Sequence, residues 1–165
     1  MIRPVTPQDV PSLCAIYNHY IDNTVITFEE VPVTEAELAA RIGKVQQKNL
    51  PWLVAEEAGK VIGYAYASPW KERSAYRFCV EVTVYLAPDR TGRGWGTRLY
   101  ESLFAELQQG PTRMAIGGVA LPNAASVALH AKAGMTKVAH FREVGFKFGQ
   151  WIDVAYWQRD LRQAP

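Results

Sequence analysis

The chain has 165 residues and a net charge of +2 at pH 7, with 48% hydrophobic and 21% charged residues. These values predict one globular domain with a substantial core and give no indication of nucleic-acid or membrane-surface binding. The two cysteines lack metal or disulfide spacing, the N-terminus lacks a signal-peptide pattern, and no apolar run reaches the ~20 residues of a membrane span. We therefore expect a soluble, cytoplasmic protein.

The first third of the chain predicts a strand followed by two helices. Residues 1–5 read as a short strand. Thr6 and Pro7 then give a helix start signal, and apolar residues follow at helical spacing. After an irregular loop, Thr34 opens a second helix with Glu37 in the capping-box position.

The middle of the chain predicts three strands. The first two form a hairpin with its turn at Ala58 and Gly59, and the third covers residues 75–88. Alternation along the third strand places Phe78, Val80, Val82 and Val84 on one face, so Glu81 lies on the other with Cys79, Thr83 and Tyr85. A carboxylate on a central strand is unusual, so Glu81 is a candidate functional residue.

A glycine-rich loop, "DRTGRGWGTRLY" (residues 89–100), connects this strand to a helix. It lacks the Lys-Ser or Lys-Thr pair of a Walker A loop, and Thr97 stands where a dinucleotide fingerprint requires glycine. Two interpretations remain open. The loop is a tight strand-to-helix turn, or its backbone N–H groups and the helix N-terminus form a cradle for a phosphate or pyrophosphate.

The last third predicts a strand at residues 112–120, a helix capped by Asn123 and ended by Gly134, and two aromatic-rich strands. Trp157 in the last strand is expected in the core. The complete order, β-α-α-β-β-β-α-β-α-β-β, predicts an α/β fold with a mixed sheet and helices on its faces. His19 and His140 have no third ligand at metal-site spacing.

Several segments taken together resemble a known family. In order, and with the glycine loop among them, they are "YNHYI", "PWKERSAYRF", "VEVTVY", "LPNAASVALHAKAGM" and "GFKFGQWIDVAYWQRDL". The chain resembles the GCN5-related N-acetyltransferases (GNAT), and within them the phosphinothricin and methionine sulfoximine or sulfone N-acetyltransferases. The resemblance implies a single GNAT domain over residues 1–165, with a mostly antiparallel central sheet flanked by about four helices.

The resemblance also implies acetyl-CoA as co-substrate and no metal. The pyrophosphate would lie on the loop from Gly92 through Arg93, Gly94, Trp95 and Gly96 to Thr97, and the pantetheine arm beside Val84, Tyr85 and Leu86. Asn123 and Lys132 would contact the coenzyme, although a plain helix cap and a solvated lysine are the alternatives. The chain departs from the family at Thr91, where Gln or Arg is usual; Arg90 and Arg93 are the nearby candidates to replace that side chain.

For catalysis, the resemblance implies that Glu81 is the general base and that a backbone N–H near Tyr85 or Leu86 stabilises the oxyanion. The alternative for Glu81 is a salt-bridged structural carboxylate. His130 occupies the position of a tyrosine that protonates the leaving thiolate in relatives. Its alternative is a packing histidine, because a thiolate can leave without help.

The implied acceptor is the α-amine of a small amino acid analogue such as phosphinothricin, methionine sulfoximine or methionine sulfone, in a resistance or detoxification role. Candidate acceptor contacts are Lys71, Arg73 and Tyr76 before the Glu81 strand, and Phe28 and Glu29 between the first two helices; a solvated loop is the alternative for the first group. Other amines (a polyamine, an aminoglycoside or a protein N-terminus) and a non-catalytic acyl-CoA-binding module remain alternatives. The C-terminal strands resemble dimer-forming strands, which implies a homodimer.

Overall fold

The computed structural model describes residues 1–162. The helices are α1 (Val10–Asn23), α2 (Glu35–Gln47), α3 (Trp95–Leu107) and α4 (Ala124–Lys132). The strands are β1 (Ile2–Pro4), β2 (Trp52–Glu57), β3 (Lys60–Pro69), β4 (Cys79–Leu86), β5 (Met114–Leu121), β6 (Thr136–Lys147) and β7 (Gln150–Asp160). This order of helices and strands is the predicted one.

All seven strands form one sheet in the order β1-β2-β3-β4-β5-β7-β6. Every neighbouring pair is antiparallel except β4 and β5, which are parallel. The β4–β5 ladder covers Cys79 to Glu81 opposite Met114 to Ile116. Beyond that ladder a gap opens between the two strands in the middle of the sheet. The predicted fold class, a mixed and mostly antiparallel sheet with four helices, is confirmed.

Local capping chemistry fixes two of the helix starts as predicted. The Thr34 N–H donates to the Glu37 carboxylate at 2.7 Å, and the Glu37 N–H donates to the Thr34 hydroxyl at 3.1 Å. The Asn123 side chain accepts from the Ser126 N–H at 3.1 Å at the start of α4. These bonds satisfy N–H groups that have no partner inside their helices.

The sheet separates two hydrophobic clusters. One packs α3 against the apolar face of β4, which carries Val80 and Val82. The other packs α1 and α2 against the opposite face, where Trp52 and Tyr64 lie. Trp157 is 5% exposed in the first cluster, as predicted.

The strand expected over residues 75–88 is shorter in the structure, since β4 begins at Cys79. Residues 74–76 form a 3-10 turn in which the Tyr76 N–H donates to the Arg73 carbonyl at 2.9 Å. Phe78 is 43% exposed and does not continue the buried face of β4. The β-favouring residues of this segment therefore yield to a local turn, which holds the loop of residues 70–78 at one end of β4. No helix within residues 1–162 is long and apolar enough to cross a membrane.

Candidate active site

The gap beside β4 exposes main-chain hydrogen-bonding groups. The Ala87 N–H donates to the Ile62 carbonyl of β3 at 2.8 Å. Because N–H groups alternate between the two sides of an antiparallel strand, Tyr85 also points its N–H towards β3. Val84 and Leu86 consequently point theirs away from β3, into the gap. Of the two N–H groups expected to stabilise the oxyanion, Leu86 presents its group to the gap and Tyr85 does not.

Two connected cavities occupy the gap. One, of about 420 Å³, which we call the deep cavity, is lined by residues of β4, β5, α3 and α4, of the loop between α1 and α2, and of the β6–β7 hairpin. The second, of about 380 Å³, runs from β4 to the glycine loop and α4. They share Val84, Tyr85 and Asn123 in their walls. A long ligand can therefore extend from the glycine loop to the deep cavity beside Glu81.

The glycine loop adopts a left-handed backbone conformation that is unfavourable for residues with a Cβ atom. Gly92 and Gly94 have φ angles of +73° and +81°, and Gly94 is the N-cap of α3. Gly96 lies against Leu129 of α4, where a Cβ atom would come within 3.2 Å of that side chain. All three glycines line the cavity. An anionic group fits here, because the thirteen-residue helix α3 directs its N-terminal N–H groups to this end of the cavity.

Of the side chains predicted to contact the coenzyme near this loop, some line the cavity and others do not. Thr97, Asn123 and Lys132 line the cavity. The Trp95 side chain is 8% exposed in the α3 core, so its backbone alone is available to a ligand. Arg93 is exposed and is not part of the cavity wall.

Thr91 and Arg90 differ in whether their side chains are available to a ligand in the cavity. Thr91 itself lines the cavity. The Arg90 guanidinium lies 2.8 Å from the Asp89 carboxylate and 3.2 Å from that of Glu57. Arg90 is therefore neutralised by its own chain, which leaves the backbone N–H groups and Lys132 to attract an anion.

Glu81 lies in the wall of the deep cavity, at the point where β4 and β5 separate. Its side chain is on the face opposite Val80 and Val82, as the alternation predicted. Burial raises the pKa of the Glu81 carboxyl. None of the ion pairs among residues 1–162 includes Glu81. These observations favour a functional carboxylate over a salt-bridged structural one.

His130 lines the same cavity and is 3% exposed. Its Nδ1 atom lies 2.7 Å from the Ser126 carbonyl, which can only accept, so we assign the proton of the neutral ring to Nδ1. Nε2 is then an acceptor and lies 3.4 Å from the Tyr100 hydroxyl. Burial lowers the pKa of His130. The ring is therefore suited to accepting a hydrogen bond, whereas proton donation would first require it to be charged.

The predicted acceptor residues divide into those at the cavity and those outside it. Phe28 lines the deep cavity and is 41% exposed. Glu29 is not in the cavity wall, because the Arg41 guanidinium donates to its two carboxylate oxygens at 2.6 and 2.8 Å and the Tyr17 hydroxyl donates to it as well. Its role here is to attach the loop between α1 and α2 to both helices.

The basic loop before β4 lies next to the cavity without lining it. Lys71, Arg73 and Tyr76 are exposed and do not belong to the wall. The loop is connected to the site through Trp70, whose ring packs edge-on against Tyr156 at 5.5 Å. Tyr156 lines the cavity, so this loop stands at its edge.

Sequence reasoning missed several residues of the wall. Tyr100, Gly118, Ser126 and Tyr156 line the deep cavity. The consecutive glycines at positions 117 and 118 were the available signal, since a Cβ at Gly117 would lie 2.6 Å from His130 Nε2. The tyrosines carry no such signal, because a buried aromatic residue is ordinary core until its neighbours are known.

Comparison with known proteins decides the family. Residues 2–156 match the model of the acetyltransferase (GNAT) domain. The chain belongs to the GNAT acetyltransferase family. The family match and the fold thus agree that this protein is an acetyltransferase.

Individual relatives match over nearly the whole chain. A phosphinothricin N-acetyltransferase of Alcaligenes faecalis is 45% identical over 97% of this chain and 82% of its own length. An L-methionine sulfoximine/L-methionine sulfone acetyltransferase of Pseudomonas aeruginosa is 33% identical over 99% of this chain and 98% of its own. The crystal structure of a phosphinothricin acetyltransferase from Sinorhizobium meliloti in complex with acetyl-CoA has a TM-score of 0.94 and 37% identity, covering 97% of this chain and 87% of that one.

Proposed function

We propose that this protein transfers the acetyl group of acetyl-CoA to the α-amine of a small amino acid analogue of the phosphinothricin, methionine sulfoximine or methionine sulfone type. The observation that carries the proposal is the position of Glu81. A carboxylate with a raised pKa lies where β4 and β5 separate, at the inner end of a cavity that leads to a glycine cradle. The names of the relatives supply the acceptor class.

Acetyl-CoA supplies the activated acetyl group when bound. The N–H groups around Gly92 to Thr97 would hold the pyrophosphate, and the Leu86 N–H would pair with the pantetheine arm, which runs beside Val84 and Tyr85 as a neighbouring strand would. Asn123 and Lys132 border the same cavity from α4. The backbone carries most of this recognition, which makes the exchange of the usual Gln or Arg for Thr91 tolerable.

Glu81 would accept a proton from the acceptor ammonium, directly or through a water. A carboxylate whose pKa is raised by burial is a stronger base than an ordinary glutamate. The amine then attacks the thioester carbonyl. The Val84 N–H points into the gap, next to the expected Tyr85 and in the wall of the cavity that holds Glu81, and it is the proposed donor to the oxyanion that forms. The coenzyme thiolate leaves as the oxyanion collapses, and the nitrogen releases its second proton to the thiolate or to water, which gives the neutral amide.

For His130, the hydrogen bond to Ser126 supports a role other than proton donor. Its Nε2 atom can hold the Tyr100 hydroxyl in place beside the cavity. The thiolate would then depart unprotonated or take its proton from water. His130 thus keeps a place in the site as a residue that orders the cavity wall.

The acceptor would enter beside Phe28. The basic loop at the edge of the cavity offers Lys71 and Arg73 for the carboxylate and for the phosphinate or sulfone oxygens, with Tyr76 next to Lys71, whose Nζ lies 5.9 Å from the tyrosine ring centroid. These side chains are exposed in the structure, so binding would require the loop to close over the acceptor. Glu29 would contribute through the loop that it anchors.

We further propose a homodimer and a cytoplasmic location. The β6–β7 hairpin exposes a group of large apolar side chains, namely Phe141, Val144, Phe146, Phe148 and Trp151, each at least half exposed. An apolar patch of this kind indicates a protein–protein interface. Both cysteines are free, which is compatible with a reducing compartment.

The test is thiol release from acetyl-CoA against a panel of acceptors: phosphinothricin, methionine sulfoximine, methionine sulfone, spermidine, an aminoglycoside and an N-terminal peptide. We expect rapid release with the first three. Release with the cationic amines or the peptide instead would retain the coenzyme site and overturn the acceptor assignment. Acetyl-CoA binding without release for any acceptor would favour a non-catalytic acyl-CoA-binding module.

A further inference from the structure

Lys147 is a buried lysine with an unusual environment. It lies at the end of β6 and is 2% exposed. Its ammonium donates to the main-chain carbonyl of Thr27 at 2.8 Å, across 120 residues of sequence. None of the ion pairs among residues 1–162 involves it. The ammonium also lies 5.1 Å from the centroid of the Phe148 ring. Burying an ammonium without a paired carboxylate is costly, so these two contacts do not explain a lysine here by stability alone.

A second contact lies beside the first. Gly145 shares its face of β6 with Lys147, because side chains alternate along a strand. Both are buried, whereas Val144 and Phe146 are 59% and 55% exposed. A Cβ at Gly145 would lie 2.4 Å from the Phe28 ring. Two neighbouring positions of β6 thus contact two neighbouring residues of the loop between α1 and α2.

The contacted residues belong to the proposed acceptor site. Thr27 and Phe28 both line the deep cavity with Glu81. The loop that carries them has no regular secondary structure between α1 and α2. Its side chains are attached to the helices, for example Thr27 Oγ1 to the Tyr17 hydroxyl at 3.0 Å. Lys147 adds the contact that fixes the main chain directly before Phe28.

We propose that Lys147 is a positioning residue for the acceptor, which holds Thr27 and therefore Phe28 against the deep cavity through its bond to the Thr27 carbonyl. This inference rests on the proposed function for its link to the acceptor. It has two consequences that a purely structural residue would not have. Loss of the ammonium should impair acceptor binding selectively, and it should loosen the loop without destabilising the whole protein.

The principal variant is Lys147→Met, which keeps a long unbranched side chain and removes the donor. Lys137→Met, on the exposed part of the same strand, is the matched control. For Lys147→Met we expect amide hydrogen exchange over residues 24–30 to accelerate by about tenfold or more. The thermal midpoint should stay the same or rise, because an unpaired buried charge is removed.

The kinetic measurement separates positioning from general damage. The KM for phosphinothricin should rise about tenfold, as expected for the loss of one charge-assisted contact that orders the site. The Kd for acetyl-CoA, measured by calorimetry, should not change. Equal losses in both affinities, or a lowered thermal midpoint with unchanged loop exchange, would assign Lys147 to the fold alone and overturn the proposal.

Gly145→Ala tests the same idea without touching the lysine. Its methyl group should displace the Phe28 ring and raise the same KM while Lys147 stays in place. This variant decides the question if Lys147→Met does not fold: an unchanged KM together with unchanged exchange over residues 24–30 would contradict the proposal. If wild type acetylates no member of the acceptor panel, the proposed function fails, and the exchange measurement on both variants still decides whether β6 holds the loop.

Discussion

Glu81, the proposed general base, is a residue whose burial opposes folding. Burial raises the pKa of its carboxyl in the folded protein. The folded state therefore binds a proton more tightly than the unfolded chain, and stability falls as pH rises from the unfolded pKa of roughly 4.3 through the raised folded value. Above that window the ionised carboxylate remains in the cavity wall at a net cost.

The first prediction follows from this sign. Glu81→Gln is neutral at every pH, so its thermal midpoint should exceed that of wild type above the raised pKa and approach it at acidic pH. Thermal unfolding of both proteins between pH 4 and pH 8 is the measurement. Glu101→Gln, on an exposed position of α3, is the control and should show no such trend. A midpoint difference that does not grow with pH would mean that Glu81 is not destabilised by its surroundings.

The sequence located this residue because two local rules sufficed. Strand alternation placed Glu81 opposite Val80 and Val82, and carboxylates are rare on central strands. Tyr100 and Lys147 could not be found in this way. Their significance depends on contacts with His130 and with Thr27, and the latter is 120 residues distant. No pattern within one helix or strand encodes a contact of that kind.

At the scale of elements, the glycine loop between β4 and α3 is the segment whose backbone conformation matters most for the proposed coenzyme site. Its N-cap glycine, Gly94, has a φ of +81° and no heavy atom within 4 Å of an added Cβ. A side chain there would be strained by the backbone and not by a clash. The consequence would be a shift of the N–H groups that form the proposed anion cradle.

The second prediction uses this strain. Gly94→Ala should weaken acetyl-CoA binding by about tenfold or more, while destabilising the fold by roughly 1 kcal/mol, the usual cost of a left-handed alanine. Gly59→Ala is the matched control, since Gly59 has a φ of +74° and the same open surroundings in the β2–β3 turn. Titration calorimetry and thermal unfolding of both variants give the two numbers. Equal acetyl-CoA affinities in the two variants would exclude the loop as the cradle.

Helix starts in this chain could be predicted from sequence, whereas the start of β4 and the gap beside it could not. Caps at Thr34 and Asn123 were predictable because their bonds are local. The start of β4 was wrong by several residues, because the 3-10 turn at residues 74–76 competes with strand propensity. The gap beside β4 was not predicted and had no local signal, since it depends on where a parallel ladder ends.

At the scale of the whole molecule, the β6–β7 hairpin carries the surface that we propose for dimer formation. Its outer face carries the exposed aromatic residues, including Trp151 at 65% exposure and Phe146 next to it at a ring-centroid distance of 4.8 Å. Its inner face holds Gly145 and Lys147 against the loop of the acceptor site. One hairpin thus faces both the proposed partner and the proposed substrate.

The third prediction concerns this surface. Trp151→Glu should convert the proposed dimer into a monomer, because association would bury an unpaired carboxylate in an apolar interface. Phe78→Glu, at an exposed aromatic residue before β4, should leave the dimer intact. Light scattering coupled to size-exclusion chromatography reports the mass of each. If wild type has the mass of a monomer, the proposed homodimer is wrong.

The central claim is that Glu81 takes the acceptor proton in the gap between β4 and β5. The most direct measurement is steady-state acetylation of phosphinothricin by wild type and Glu81→Gln, with the acetyl-CoA affinity of each measured in parallel. The account predicts that kcat falls by ~10²-fold or more, the typical contribution of general-base catalysis, while the Kd for acetyl-CoA is unchanged. Unchanged turnover in the variant would contradict it and remove Glu81 from the mechanism.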